Sequence, residues 1–358
     1  MHIWWKMAGS IEVSAPGKLI LIGEYAVLEG IPAIVAAIDR RVIVSIRENN
    51  QREFTLSAPN LGIERQKFVP DANGNADFIG KLSPQQRENL RFFQSVFART
   101  WRKSDLNKSR ALDLHIDTAD FYISDRIKLG LGSSAAVTSA LTAGLHAFCG
   151  GSVSLDKLFL ESLAAHQEAQ GKIGSGIDVA ASIFGGILTY SKAEPEPEIK
   201  DIGICEDLAI IPVWSGSAAS TLNLVTKVLQ FKKAFPAQYR SIIKDMSEIS
   251  TEAIKAWSDG NASTLLSHIN RFATLLEDLG EYSQAPIISV AHKKIGSVVR
   301  KYNGVYKPSG AGQGDLGLAF WKRSDIDNEI DALLKAAGLQ TMAFQFGVKG
   351  IELKNRDF

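Results

Sequence analysis

The stretch KLGLGSSAAVTSALTAGLHAF, residues 128–148, constrains this chain more than any other. A run of small and apolar residues of this length reads as a buried helix, and the glycines ahead of it read as a loop feeding its N-terminus. The first N–H groups of a helix have no partner within it, and the macrodipole places positive charge there. Gly130 and Gly132, with Leu131 between them, let the backbone approach a ligand, while Ser133, Ser134 and Ala135 open the helix with hydroxyls and little bulk. Such an entrance suits an anion, phosphate above all. A capped helix without a ligand uses the same residue types. G-x-x-x-x-G-K-[ST] is absent from the chain, and so is a Rossmann G-x-G-x-x-G between a strand and a helix.

Two further glycine-rich stretches favour the binding reading. GKIGSGID (171–178) and KPSGAGQGD (307–315) each lie between regular segments, where binding loops on a rigid scaffold belong. Asp178 falls in the first turn of the helix that follows the second stretch, where the dipole stabilises its charge. Lys18 follows the bend Ala15-Pro16-Gly17 at the start of an apolar strand. It is a candidate active-site cation, although a lysine there also snorkels to solvent. A third helix entrance, SGSAAST, sets Ser217, Ser220 and Thr221 as candidates for a substrate phosphate or carboxylate, with plain capping as the other reading.

The regular segments alternate in type. Residues 11–22 read as a strand, a bend and a second strand; 41–47, 54–57, 111–118, 185–190 and 208–214 read as further strands. Helices are expected at 84–101, where Leu90, Phe93, Phe97 and Trp101 share a face, and at 155–170, 243–257, 261–279, 286–302 and 325–337. Residues 60–83 show no period and read as loop. The acidic, proline-alternating KAEPEPEIK (192–200) is the best boundary, as linker or exposed hairpin. The expected architecture is α+β in two domains, 10–192 and 201–358.

The totals exclude some classes. With 40 basic and 39 acidic residues the formal charge is +1, which points to neither nucleic acid nor a membrane surface. The two cysteines, Cys149 and Cys205, have no metal-ligand or C-x-x-C spacing, and no run reaches membrane-helix length, so a cytoplasmic protein acting on small molecules, monomer or homodimer, is expected.

Three motifs in order, APGKLILIGEYAVLEG, KLGLGSSAAVTSA and KPSGAGQGD, closely resemble the signature stretches of the GHMP kinases. Within that superfamily Glu24-Tyr25, the 165–182 stretch AHQEAQGKIGSGIDVAAS, VWSGSAASTLNLV and the terminal Asp315 are similar to phosphomevalonate kinases. The resemblance implies a ribosomal protein S5 domain 2-like N-terminal domain and a ferredoxin-like C-terminal domain. It implies ATP and Mg2+ as cofactors, with Gly130–Ala135 and Ser309, Gly310, Ala311 and Gly312 around ATP. Lys18 and Asp178 would be catalytic, and Lys18, Glu24, Tyr25, Ser175, Gly176, Asp178, Ser217, Ser220, Thr221 and Lys307 would meet the substrate. Ser134 is the expected magnesium contact, with Glu168 as a second candidate.

Two positions depart from the pattern. Gln313 replaces a glycine, and Gln167 stands where mevalonate kinases carry a magnesium-binding Glu, with His166 and Glu168 beside it. The implied reaction passes the ATP γ-phosphoryl group to 5-phosphomevalonate, Asp178 orienting and charge-balancing Lys18. Mevalonate kinase or another small-alcohol kinase, with Asp178 as general base, is the alternative, and a non-catalytic ligand sensor is a third reading.

Overall fold

The computed structural model describes residues 2–3, 10–49, 51, 53–103, 111–123, 127–150, 153–171, 174–193, 195–326 and 329–355. Lys172 and Ile173 of the second glycine stretch lie outside them.

The first sheet is built around one long strand, Ala33–Asn49. Its first half, AIVAAI, is buried at every position, while in its second half Val42, Val44 and Ile46 are buried between more exposed neighbours. The change from continuous to alternating apolar residues marks the point where the strand goes from two covered faces to one. Ser10–Ile22 pairs antiparallel along its length; Ile187–Ser191 pairs with its first half and Ala111–Asp117 with its second. Phe54–Ala58 adds parallel to Ala111–Asp117, and Ile63–Pro70 and Ala76–Phe78 follow antiparallel. These last two strands occupy the stretch expected as loop. Only Ile63 and Phe68 of IERQKFVP are fully buried, so an edge strand with one thin apolar face leaves no period to read.

Ser10–Ile22 is one strand, not two: the expected bend is a register shift at Pro16/Gly17, with a second at Ile20/Ile22. The expected helix over 84–101 divides at Leu90 into Pro84–Asn89, opened by a Ser83/Gln86 capping box, and Arg91–Lys103. The second helix packs Phe93, Phe97 and Trp101 against Phe54 and Phe68. Its aromatic stripe is core. Helix Ser133–Phe148 lies on the sheet, almost wholly buried, with Leu155–Gln170 and Ile177–Phe184 beside it. KAEPEPEIK takes the hairpin option, its end pairing as Glu198–Asp201 with Ile187–Ser191.

A four-stranded antiparallel sheet follows, in the order Val305–Pro308, Leu316–Lys322, Leu208–Trp214, Gln340–Thr341. Its helices include Thr221–Ala234, Pro236–Ser258, Ala262–Ser283 and Val290–Lys301. The chain then returns: Phe346 and Lys349 bridge to Ile38 and Gly185, and Glu352–Asn355 pairs with Ser10–Ile22. The residues from 346 on therefore belong to the first sheet rather than to the second unit expected over 201–358. The last two strands, Gln340–Thr341 and Glu352–Asn355, are thus divided between the two sheets.

Candidate active site

Lys18 sits just past the Pro16/Gly17 bulge, opposite Ala37 in the strand pair, and its backbone N–H donates to the Leu131 carbonyl at 2.9 Å. Bulges re-aim side chains in this way beside active sites. The same contact ties the first motif to the serine-pair loop. Helix Ser133–Phe148 starts at Gly132, in the left-handed region (φ 80°), and no side chain caps it. The serine hydroxyls thus do not close the helix end, so the leading N–H groups face the loop. A Cβ on Gly132 would stand 3.2 Å from Lys18 Cε and 3.7 Å from Asp178 Cβ, which puts the helix entrance, the lysine and the aspartate around one point. Lys18 Nζ also lies 4.0 Å from where a Cβ of Gly310 would be.

Asp178 lies in the first turn of Ile177–Phe184, whose N-cap is Gly176. Its Oδ1 accepts the Val179 N–H at 3.1 Å, and its Oδ2 is 4.0 Å from His166 Nε2. Asp178 and Lys18 are neighbours without forming an ion pair, so the direct charge-balancing contact expected between them is not made. Among the described residues no carboxylate pairs with the Lys18 ammonium. Ser175 and Gly176 are held from behind by Tyr190, whose hydroxyl donates to the Ser175 carbonyl at 2.6 Å.

The third glycine loop is clamped to the first motif by side chains expected to meet substrate. Lys307 and Glu24 form an ion pair with side chains 0% and 1% exposed, and Lys307 Nζ also donates to the Pro308 carbonyl at 2.9 Å. Burial pushes the Glu24 carboxyl up and the Lys307 ammonium down, and each partner's charge opposes the shift in the other. Tyr25 donates to the Ala311 carbonyl at 2.6 Å, and Ser309 Oγ accepts from the Ile20 N–H and donates to the Ile20 carbonyl. In this arrangement Tyr25, Ser309 and Lys307 spend their polar atoms on the protein, as Glu24 does through Oε1, and together they brace the loop that carries Gly310 and Gly312.

Asp315 joins the remaining pieces. Its Oδ1 accepts the Ala219 N–H at 3.1 Å, its backbone N–H donates to the Ser217 carbonyl at 2.7 Å, and a Cβ on Gly130 would lie 2.3 Å from its Cγ. The serine-pair loop, the third glycine loop and the 215–220 loop therefore meet at this residue. Burial holds its carboxyl above the usual range, opposed by the Ala219 N–H and by Lys18 and Lys128. Ser217, Ser220 and Thr221 are exposed beside it, and no side chain caps the helix Thr221 begins.

Sequence reasoning missed two histidines. His292 is buried, with Nδ1 2.7 Å from Tyr306 Oη and Nε2 3.1 Å from the Gly314 carbonyl; burial pushes its pKa down to about 4. His166 is buried between Ser134 and Asp178. Neither is marked by spacing, since both lie on helices whose periodicity reads as ordinary packing. Glu168, by contrast, turns away from the site: half exposed, it pairs with Arg99 at 3.0 Å on the outer side of Leu155–Gln170. The oxygens that remain for magnesium are Ser134 Oγ and the Asp178 carboxylate. No cluster of three or more His, Cys, Asp or Glu that could hold a metal occurs among the described residues. A two-oxygen set of this kind fits an ion that keeps several waters and phosphate oxygens.

This arrangement, two α+β units with glycine loops converging at their seam, is the two-domain fold of the GHMP kinases. Residues 96–186 match the family model for the GHMP kinases N terminal domain. A phosphomevalonate kinase of Streptomyces sp. (strain CL190) is 28% identical over 334 residues, covering 85% of this chain and 88% of that protein. A mevalonate kinase of Aeropyrum pernix is 27% identical over 332 residues, covering 92% and 94%. The crystal structure of a Listeria innocua protein, 23% identical, superimposes with a TM-score of 0.83 over 97% of this chain and 100% of that one. The family-model match, the relatives and the fold together support a protein of the GHMP kinase type. No helix among the described residues is long and apolar enough to cross a membrane.

Proposed function

We propose that this protein is a phosphomevalonate kinase, which transfers the γ-phosphoryl group of ATP to (R)-5-phosphomevalonate to give 5-diphosphomevalonate and ADP. The observation that carries the reading is Lys18: an ammonium held by a strand bulge between two glycine loops, with no carboxylate paired to it among the described residues. An unpaired cation at that point suits an incoming dianion. The similarity to the Streptomyces enzyme supports the same choice.

Phosphoryl transfer asks little covalent work of the protein; it needs alignment of donor and acceptor and cancellation of charge. In this reading the Gly130–Ala135 backbone wraps the nucleotide phosphates at the uncapped helix end, and the loop 309–312 braces the opposite side. Magnesium, when bound with ATP, supplies charge neutralisation at the phosphate oxygens. Ser134 and Asp178 are the oxygens this chain offers it. Ser217, Ser220 and Thr221 remain candidates for the acceptor's far end. Lys18 draws the acceptor phosphate into line. An oxygen of that phosphate then bonds to the γ-phosphorus as the bond to the bridging oxygen breaks, and ADP leaves. A phosphate monoester has a second pKa of about 6, so the attacking oxygen carries charge near neutrality without a base. Asp178 then orients rather than deprotonates.

Mevalonate kinase is the second reading, favoured by the equally extensive similarity to the Aeropyrum protein. There Asp178 would take the proton of a hydroxyl. A coupled ADP-release assay with Mg-ATP, comparing mevalonate 5-phosphate with mevalonate, separates the two. Turnover of the phosphate ester alone is expected; turnover of mevalonate alone would overturn the assignment.

A further inference from the structure

His166 takes no part in the chemistry outlined above, yet it stands inside the site. It lies on Leu155–Gln170 with its side chain 2% exposed. Its ring stacks on Phe92 with centroids 5.2 Å apart at 25°, and the Arg91 guanidinium packs over the same Phe92 ring at 4.9 Å. The ring is thus fixed in orientation by packing. Nε2 is directed at the Ser134 hydroxyl, 3.2 Å away, and stands 4.0 Å from Asp178 Oδ2. Ser134 has a second tether nearby, its carbonyl accepting from Thr138 Oγ1 at 2.8 Å.

We propose that His166 is a positioning residue. The stacked imidazole holds the Ser134 hydroxyl in one rotamer and fills the space between Ser134 and Asp178, so that both oxygens present to the nucleotide in a set geometry. A serine side chain with an open side would otherwise sample several staggered rotamers. A hydroxyl that must meet a phosphate or its metal loses affinity and rate when it is not pre-organised. Either tautomer serves: Nε2 accepts the Ser134 proton or donates to its oxygen, and the rotamer is fixed in both cases. The role assigned here rests on the kinase reading, since it concerns how the nucleotide is met.

The test compares His166→Phe, which keeps the stack on Phe92 and removes both ring nitrogens, with His166→Gln, whose amide can restore a hydrogen bond to Ser134. In the Phe variant kcat is expected to fall about 10- to 100-fold, with acceptor KM within about threefold of the parent, and the Gln variant to recover most of the loss. A second readout needs no turnover. The gain in affinity for a non-hydrolysable ATP analogue on adding magnesium, measured by calorimetry on the full chain, should shrink about tenfold in the Phe variant and be kept in the Gln variant. If the parent turns over neither acceptor, the kinase assignment fails separately and calorimetry alone decides. A Phe variant with unchanged magnesium gain overturns the proposal. A Gln variant as impaired as the Phe variant also overturns it, because imidazole chemistry rather than positioning would then be required.

Discussion

Lys307→Met removes one member of the buried pair that ties the third glycine loop to the first motif. With side chains 0% and 1% exposed, the Glu24 carboxylate left behind has no water to turn to, and its Oε2 already lacks a protein partner. Breaking a buried pair from one side costs about 3–5 kcal/mol, because an uncompensated charge remains. Adding Glu24→Gln removes that charge, so the double variant should be more stable than Lys307→Met alone, with a coupling energy of about 2 kcal/mol. The assay is urea unfolding of the parent, both single variants and the double variant, with the m-value checked for constancy. The deficit has a pH signature. Glu24 without Lys307 has a raised pKa in the folded state, so protonation relieves it: the deficit of Lys307→Met shrinks as pH is lowered and grows as pH rises through that value. Additive single losses, or a pH-independent deficit, would refute the argument that the pair is a buried electrostatic brace.

Three further outcomes follow from the site. Lys18→Met should lower kcat/KM for the phosphorylated acceptor more than Asp178→Asn does, because the cation meets the dianion directly while the asparagine keeps one oxygen for orientation and for the metal; steady-state kinetics with an equal loss for both would count against it. Gln313 is held at φ 69°, a left-handed conformation that costs a side-chain-bearing residue about 1 kcal/mol, so Gln313→Gly should raise the melting temperature slightly or leave it unchanged, and a clear fall would show that the side chain contributes packing. His292 has its folded pKa depressed to about 4, so its contribution is complete above the unfolded value near 6.5 and is lost as pH falls from there to about 4. Over that window His292→Gln should lose about 3 kcal/mol less stability than the parent, read from urea midpoints at pH 7 and pH 4.

The sequence by itself determined the elements and loops whose local chemistry is strong. The helix at 155–170 is found with those bounds, and the serine-pair loop opens a buried helix as its glycines and small residues require. The α+β character followed from the two periodicities, and the order of the three glycine-rich motifs located the region of the site. What only the tertiary structure decided concerns partners far apart in the chain. Residues 63–70 form a strand because the neighbouring strands supply its hydrogen bonds, not because its own pattern demands one. Glu24 and Lys307 are 283 positions apart, and nothing local tells a lysine whether it will meet a substrate anion or a buried carboxylate. The same holds for Glu168, a metal-ligand candidate because it stands next to Gln167, where the resemblance places a magnesium-binding Glu, but turned by helix geometry toward Arg99. His166 reaches Ser134 across 32 residues for the converse reason: the rotation of one helix against another places its ring in the site. Local propensity acts through a residue's immediate neighbours, whereas the work of a charged or polar side chain is set by what the fold brings within about 3 Å of it.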